Sequence, residues 1–319
     1  MGLTRGVEAS RPEGRGGGPS GLAMQAKAAG AARTSVISNT ALTVVKLAAG
    51  VFTGSVSVLS EALHSGLDLV AAIMAFAAVR KSREPADAEH NFGHGKFESM
   101  SGLAEGLLIL VAVGLILWGA IGRLISGATE IRAPLVGLAV MAGSALVNIG
   151  VSRMLFRVAR ETRSVALEAD GWHLRTDVWT SFGVVGGMGV IALGSRLGFP
   201  EVHHLDPVVA IGIAVLIARA AVDISYRSYN HLVDRSLSAG EVERIEGLLN
   251  EHYPEFAGFH RLRTRQAGPE RYIDVHLEMP GEASVADSHA LCDHIEQDLR
   301  ALMPDAQVLI HVEPRGDDG

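Results

Sequence analysis

Two short stretches carry the chemistry. His64-Ser-Gly-Leu-Asp68 and His173-Leu-Arg-Thr-Asp177 each set a His and an Asp four residues apart. On a helix that spacing puts both side chains on one face, a turn apart. Each pair sits in a long apolar stretch, where an ionisable group is costly. An Asp at the centre of a membrane helix costs about 2.5–3.5 kcal/mol on insertion scales, and such residues usually mark an ion path. Two helices facing each other through these pairs would offer two imidazoles and two carboxylates, a tetrahedral set suited to a borderline divalent ion such as Zn²⁺. One pair alone reads equally well as a hydrogen-bonded structural pair. Two copies with the same order and spacing favour a shared metal site.

The elements that must hold these pairs follow from composition. The chain has 319 residues, 48% of them hydrophobic, and a mean hydropathy of +0.25. Its apolar residues cluster in runs of membrane-spanning length, so it reads as a polytopic α-helical membrane protein. The runs fall near 34–52, 56–79, 97–125, 134–156, 165–193 and 207–226, giving six transmembrane helices with His64 and Asp68 in the second and His173 and Asp177 in the fifth. Residues 1–27 are rich in Gly, Ala, Arg and Pro and read as a disordered segment without a secretory signal peptide. Thr53-Gly54-Ser55 reads as a tight turn between the first two spans.

Lys and Arg gather before the first span (Arg5, Arg11, Arg15, Lys27, Arg33), after the second (Arg80, Lys81, Arg83, Lys96) and after the fourth (Arg153, Arg157, Arg160, Arg163). The other loops carry only Arg123, Arg132 and Arg196. The positive-inside rule then puts both termini in the cytoplasm. The net charge of −7 gives no argument for nucleic acid. Cys292 is the single cysteine, so an intrachain disulfide and a thiolate zinc site are both excluded.

Residues 28–235 thus form the membrane domain, and 236–319 read as soluble. Ser238 is placed to cap a helix with Glu241 in the capping-box position. Residues 259–264, 272–278 and 308–312 read as strands, and 284–303 as an amphipathic helix. The order αββαβ is a small α+β domain with helices on one face of a sheet.

These residues resemble the cation diffusion facilitator family, and the resemblance runs from about residue 28 to 314. It is carried by Thr53-Gly-Ser-Val-Ser-Val-Leu-Ser60 leading into His64 and Asp68, by His90-Asn-Phe-Gly-His-Gly-Lys-Phe-Glu98, by His173 and Asp177, and by Leu262-Arg-Thr-Arg-Gln-Ala-Gly-Pro269. The family implies a homodimer with a metallochaperone-like cytoplasmic domain. Each protomer exchanges a cytoplasmic divalent ion for protons across a bacterial inner membrane, at a site between the second and fifth spans. Close bacterial members have Asp at the first ligand position. This chain has His64, which favours Zn²⁺ over iron or cadmium.

The resemblance implies two further metal sites. Asp87, His90 and His94 match ligands in the loop between the second and third spans, although by spacing alone two solvated His are the simpler reading. His260, His276, His289, His311 and Glu313 match a cytoplasmic cluster that binds a pair of zinc ions, with Glu313 where relatives often have Asp. Lys96 and Asp234 resemble a pair that locks the protomers near the membrane surface; two unrelated surface charges are the plain alternative. His203, His204, His231, His252 and His294 match no site. Asn39 and Asn148, within spans, read as bonds between helices.

The expected function is zinc export by zinc/proton antiport. The alternatives are an Fe²⁺, Co²⁺ or Cd²⁺ efflux transporter of the same family, and a metal sensor or scaffold without flux. A membrane metallohydrolase is disfavoured, because a catalytic zinc keeps an open position for water and four converging protein ligands leave none.

Overall fold

The computed structural model describes residues 19–53, 56–126, 135–197, 205–252 and 256–315. Six long helices come first: α1 (Pro19–Thr53), α2 (Val56–Lys81), α3 (Lys96–Ser126), α4 (Leu135–Thr162), α5 (Val165–Leu197) and α6 (Leu205–Leu232). The soluble part follows as α7 (Ala239–His252), β1 (Gly258–Ala267), β2 (Glu270–Met279), α8 (Val285–Leu302) and β3 (Ala306–Pro314). Gly54, Ser55, Arg132, His203, His204 and residues 1–18 lie outside the described residues.

The first helix corrects an expectation. It begins at Pro19, inside the segment read as disordered. Pro suits a first-turn position and the Ala-rich run after it has high helix propensity. Packing then fixes it: Ala28, Ala31 and Ala32 are buried with Val79 of α2, Leu155 and Val158 of α4 and Leu167 of α5. Lys27 pairs with Glu161. Likewise α4 does not stop at its basic stretch but carries Arg153, Arg157 and Arg160 to Thr162.

Among the described residues four helices are long and apolar enough to cross a membrane: Ala23–Phe52, Ala62–Lys81, Lys96–Gly122 and Ala139–Thr162. They lie in α1 to α4. The first half of α5 carries Glu168, Asp170, His173, Arg175 and Asp177. Leu63, Leu67, Val111, Leu115 and Trp118 stay exposed on the helices, as a lipid-facing surface requires.

The helices sort into two groups. One core joins α1, α2, α4 and α5; the other joins Ile109 and Val113 of α3 to Ala214, Ile217 and Ala221 of α6. Gly106 permits the second contact, since a Cβ there would meet Ser225 Oγ at 2.3 Å. Glu98 ties the groups at one end: it is fully buried and accepts hydrogen bonds from Ser82, at 2.9 Å, and from Ser164.

In the soluble domain the sheet order is β1-β2-β3, antiparallel and then parallel. Alternate residues of β2, Ile273, Val275 and Leu277, bury against Ile245 and Leu249 of α7 and Ile295 and Leu299 of α8. The opposite face carries Tyr272, Asp274, His276 and Glu278, as period-two alternation demands. Ser284 caps α8 by accepting from the Asp287 amide at 3.1 Å. The Ser238 amide donates to Glu241 at 3.2 Å, one arm of the expected capping box.

Two separate sequence motifs meet where this domain docks. The β1–β2 turn at Gly268 presses on the Gly93-His94-Gly95 turn. A Cβ on Gly95 would lie 2.3 Å from the Ala267 carbonyl oxygen, and one on Gly268 would lie 2.5 Å from that of Gly95. Gly268 also has φ +61°, a conformation that glycine adopts without strain. Tyr272 donates to the Phe92 carbonyl at 2.7 Å, and the Arg265 guanidinium lies over the Tyr272 ring at 4.2 Å.

Candidate metal centres

The structure brings the four residues of the two His-Asp pairs together. His173 Nε2 of α5 lies 3.1 Å from Asp68 Oδ1 of α2. His64 Nε2 of α2 lies 3.7 Å from Asp177 Oδ1 of α5 and 3.9 Å from Asp68 Oδ1. Each helix therefore reaches across to the other's carboxylate. The side chain of Asp68 is 6% exposed and that of His64 51%, so the set opens on the His64 side. Asp177 Oδ2 is buried without a hydrogen-bond partner. An unsatisfied carboxylate oxygen in such surroundings is costly and calls for a cation or a proton.

The loop cluster is also assembled. His90 Nδ1 and His94 Nε2 lie 3.4 and 3.3 Å from the two oxygens of Asp87, and the two rings are 4.4 Å apart. The His90 amide, at 2.6 Å, holds the Asp87 carboxyl below the usual range against the opposing effect of burial, with help from the Glu89 amide. His94 is buried, and its Nδ1 lies 3.3 Å from the Glu84 carbonyl oxygen. A neutral ring donating there turns its Nε2 lone pair toward Asp87. Two acceptors so placed are satisfied by a shared cation or by a proton.

The third cluster is built by strand register. His260, His276 and His311 stand on one rung across β1, β2 and β3, since His276 pairs with both neighbours. Glu313 binds them together: its carboxylate lies 2.9 Å from His260 Nε2, 3.1 Å from His276 Nδ1 and 3.7 Å from His311 Nε2. The His276 hydrogen bond holds the Glu313 carboxyl below its ordinary range. Glu278 is an addition that the sequence reading missed. It accepts from His260 Nδ1 at 3.0 Å. Its position two residues after His276 was the available signal, because residues two apart share a strand face. His289 stands apart. It lies on α8, is exposed, and faces Asp293 at 3.8 Å rather than the three-His rung. Its helix covers the opposite face of the sheet.

Lys96 and Asp234 meet at 3.0 Å within one protomer, joining the start of α3 to the segment after α6. Arg265 of β1 reaches the same Asp234 oxygen at 3.2 Å, so the pair is part of the docking contact between domains. Asn39 is buried and donates to Ser35 at 3.4 Å along its own helix.

Residues 32–233 match the family model for the cation efflux transmembrane domain, and residues 237–315 match that for the cation efflux protein cytoplasmic domain. The chain thus belongs to the cation diffusion facilitator family: a membrane cation efflux domain followed by a cytoplasmic domain with a small sheet. It is 34% identical over 284 residues to the cation-efflux pump FieF of Cronobacter sakazakii, a match covering 89% of this chain and 92% of that protein. It is 35% identical to transporter sll1263 of Synechocystis, covering 86% of each. The first is named for cation efflux and the second as a transporter, and the chain's own reading as a transporter accords with that. Among solved structures, CzrB in its Zn form is 39% identical over 27% of this chain and 98% of that chain, with a TM-score of 0.26. The metal-bound C-terminal domain of the CzcD transporter of Thermotoga maritima is 30% identical over 26% of this chain and all of that one, with a TM-score of 0.24.

Proposed function

We propose that this chain is a zinc/proton antiporter that exports Zn²⁺ from the cytoplasm through His64, Asp68, His173 and Asp177. The observation that carries the reading is the crossed approach of α2 and α5, with His173 on Asp68 at 3.1 Å and His64 on Asp177 at 3.7 Å. A metal-binding His must be neutral and a carboxylate ionised, so metal and protons compete for the same atoms. Imidazole titrates near pH 6.5, which places the competition in the physiological range. The cytoplasmic ion displaces protons from the four side chains. The helices then rock about the fixed site, and protons on the far side displace the ion.

In this reading all six long helices span the inner membrane of a bacterium, with both termini cytoplasmic. The protein is a homodimer, a state supported by the match to a cytoplasmic-domain model named for a dimer. The loop cluster and the sheet cluster each hold zinc as a structural ion, with Glu278 added to the latter. The test is proton movement in sealed proteoliposomes on adding Zn²⁺, Cd²⁺, Fe²⁺, Co²⁺ or Mn²⁺ in parallel. Zinc is expected to drive the largest proton flux. No metal-dependent flux would make the protein a sensor or scaffold and sink the antiporter reading.

A further inference from the structure

A cavity of about 750 Å³ lies between the cytoplasmic ends of α4 and α6, the start of α5 and the soluble domain. Its charge is opposite to what a metal route needs. Arg153, Arg160, Arg163, Arg175, Arg227 and Arg271 line it, against one carboxylate, Glu168. Such a wall repels divalent cations, so the cavity is separate from the proposed ion path.

Three of these guanidiniums are already matched. Arg227 makes two hydrogen bonds to Glu168, at 2.7 and 3.0 Å; Arg163 lies 3.4 Å from Asp305; and Arg271 binds Glu241 at 2.6 Å. Arg153, Arg160 and Arg175 have no carboxylate partner among the described residues. Arg175 only lies over the Phe156 ring, at 5.6 Å. Two buried nitrogens are also unmet: the donor Arg271 Nη1 and the ring nitrogen His231 Nδ1 have no hydrogen-bond partner. Arg271 is 6% exposed, so its idle nitrogen cannot turn to bulk water. A buried donor left unsatisfied is costly and rare in folded proteins.

We propose that this cavity binds the phosphate of an anionic phospholipid headgroup. Three facts select the lipid over a soluble anion. The cavity lies at the cytoplasmic ends of the helices, where headgroups lie and where basic pockets between helices take anionic lipids. Its walls are partly apolar and aromatic, with Phe156, Trp172 and Val165 beneath the guanidiniums, which suits the glycerol and the acyl roots. Its volume is that of a small-molecule site. Arginine forks match phosphate oxygens bidentately, which lysine does not. Because Arg271 belongs to β2 while the other guanidiniums belong to α4, α5, α6 and the α4–α5 turn, one headgroup would bridge the membrane and soluble domains.

The test uses the full chain in detergent, with retained lipid counted by native mass spectrometry after exposure to phosphatidylglycerol or phosphatidylcholine. Wild type should retain phosphatidylglycerol in preference. Arg153→Gln with Arg160→Gln should retain it about tenfold less, the loss expected for charge-assisted hydrogen bonds. Arg157→Gln, on the same helix but outside the cavity, should retain it as wild type does. Should the Gln pair fail to fold, Arg153→Lys with Arg160→Lys keeps the charge without the fork and should retain less than wild type. Equal retention in wild type and in the tested pair, or equal retention of both lipids, overturns the site. In a second arm, millimolar inorganic phosphate should neither displace the lipid nor raise the melting temperature. If it does either, the cavity takes a soluble anion and the lipid assignment fails.

Discussion

The α2–α5 site and the three-strand site use nearly the same donors on opposite kinds of scaffold. In the first, each helix supplies one His and one Asp, and all the contacts that matter cross between helices. Among the described residues no backbone hydrogen bond fixes one helix against the other, so the donor set can change as the helices slide. In the second, His260, His276 and His311 are locked side by side by the sheet ladder, and Glu313 spans all three. A ladder shift of one residue would throw every His to the other face. The first arrangement suits an ion that must leave and the second an ion that stays.

The sharpest way to break this contrast is to remove the charge from the helical site. Asp68→Ala and Asp177→Ala should each reduce zinc flux in proteoliposomes to background while the protein stays folded, because each removes one of the two charged ligands from the four-residue set. Retained flux in either variant would place the ion elsewhere. Next comes His64, the most exposed of the four. His64→Asp should raise cadmium uptake several-fold relative to zinc, since a larger ion is better served by flexible carboxylates than by a short imidazole. Initial rates with both metals decide it; an unchanged ratio would remove His64 from the ligands.

The sheet site should respond in stability rather than in flux. His276→Ala, or His311→Ala with Glu313→Ala, should weaken zinc binding there at least tenfold. That costs about 1.4 kcal/mol of zinc-dependent stabilisation per tenfold, read as a smaller melting-temperature rise on adding zinc. Flux should fall only in part. An equal rise in wild type and variants would mean that zinc does not bind at the rung.

The smallest expected effect is on acid stability. Burial pushes the Glu241 carboxyl up, but Arg271 and Ser238 outweigh it and hold the group below its ordinary 4.5. A carboxyl with a depressed folded value adds stability that is complete above 4.5 and is lost as the pH falls through the folded value. Metal-free wild type should therefore lose melting temperature below that pH more steeply than Glu241→Gln. Parallel curves would mean that the Arg271 contact adds nothing.

How much of this could be seen in the sequence depended on periodicity. The helical pairs were legible because an i, i+4 repeat of His and Asp contradicts its apolar surroundings. The alternation at 272–278 revealed a strand, and with it the outward face of His276. What escaped was tertiary. Glu278 gains meaning only when β1 brings His260 beside it. Phe92 is far in the chain from Arg265 and Tyr272, a cross-strand pair of β1 and β2, and nothing local announces that it joins their stack. The arginines after the fourth span served as a topology signal, while their convergence with Arg175 and Arg271 needed three-dimensional placement. His289 is the other such case: within one protomer it lies on α8 beside Asp293, away from the rung, and its place relative to the three His is not visible in the spacing.

The long sequence separation between Asp68 and His173 has a consequence for synthesis. The two are 105 residues apart. At roughly 5–20 residues per second, α2 is complete for about 5–20 s before its partner on α5 exists. Throughout that interval Asp68 sits in an apolar helix with His64, one turn away, as the partner already made. The first His-Asp pair can thus act as an escort during membrane insertion. The crossed arrangement forms only after α5 arrives and exchanges one imidazole for another.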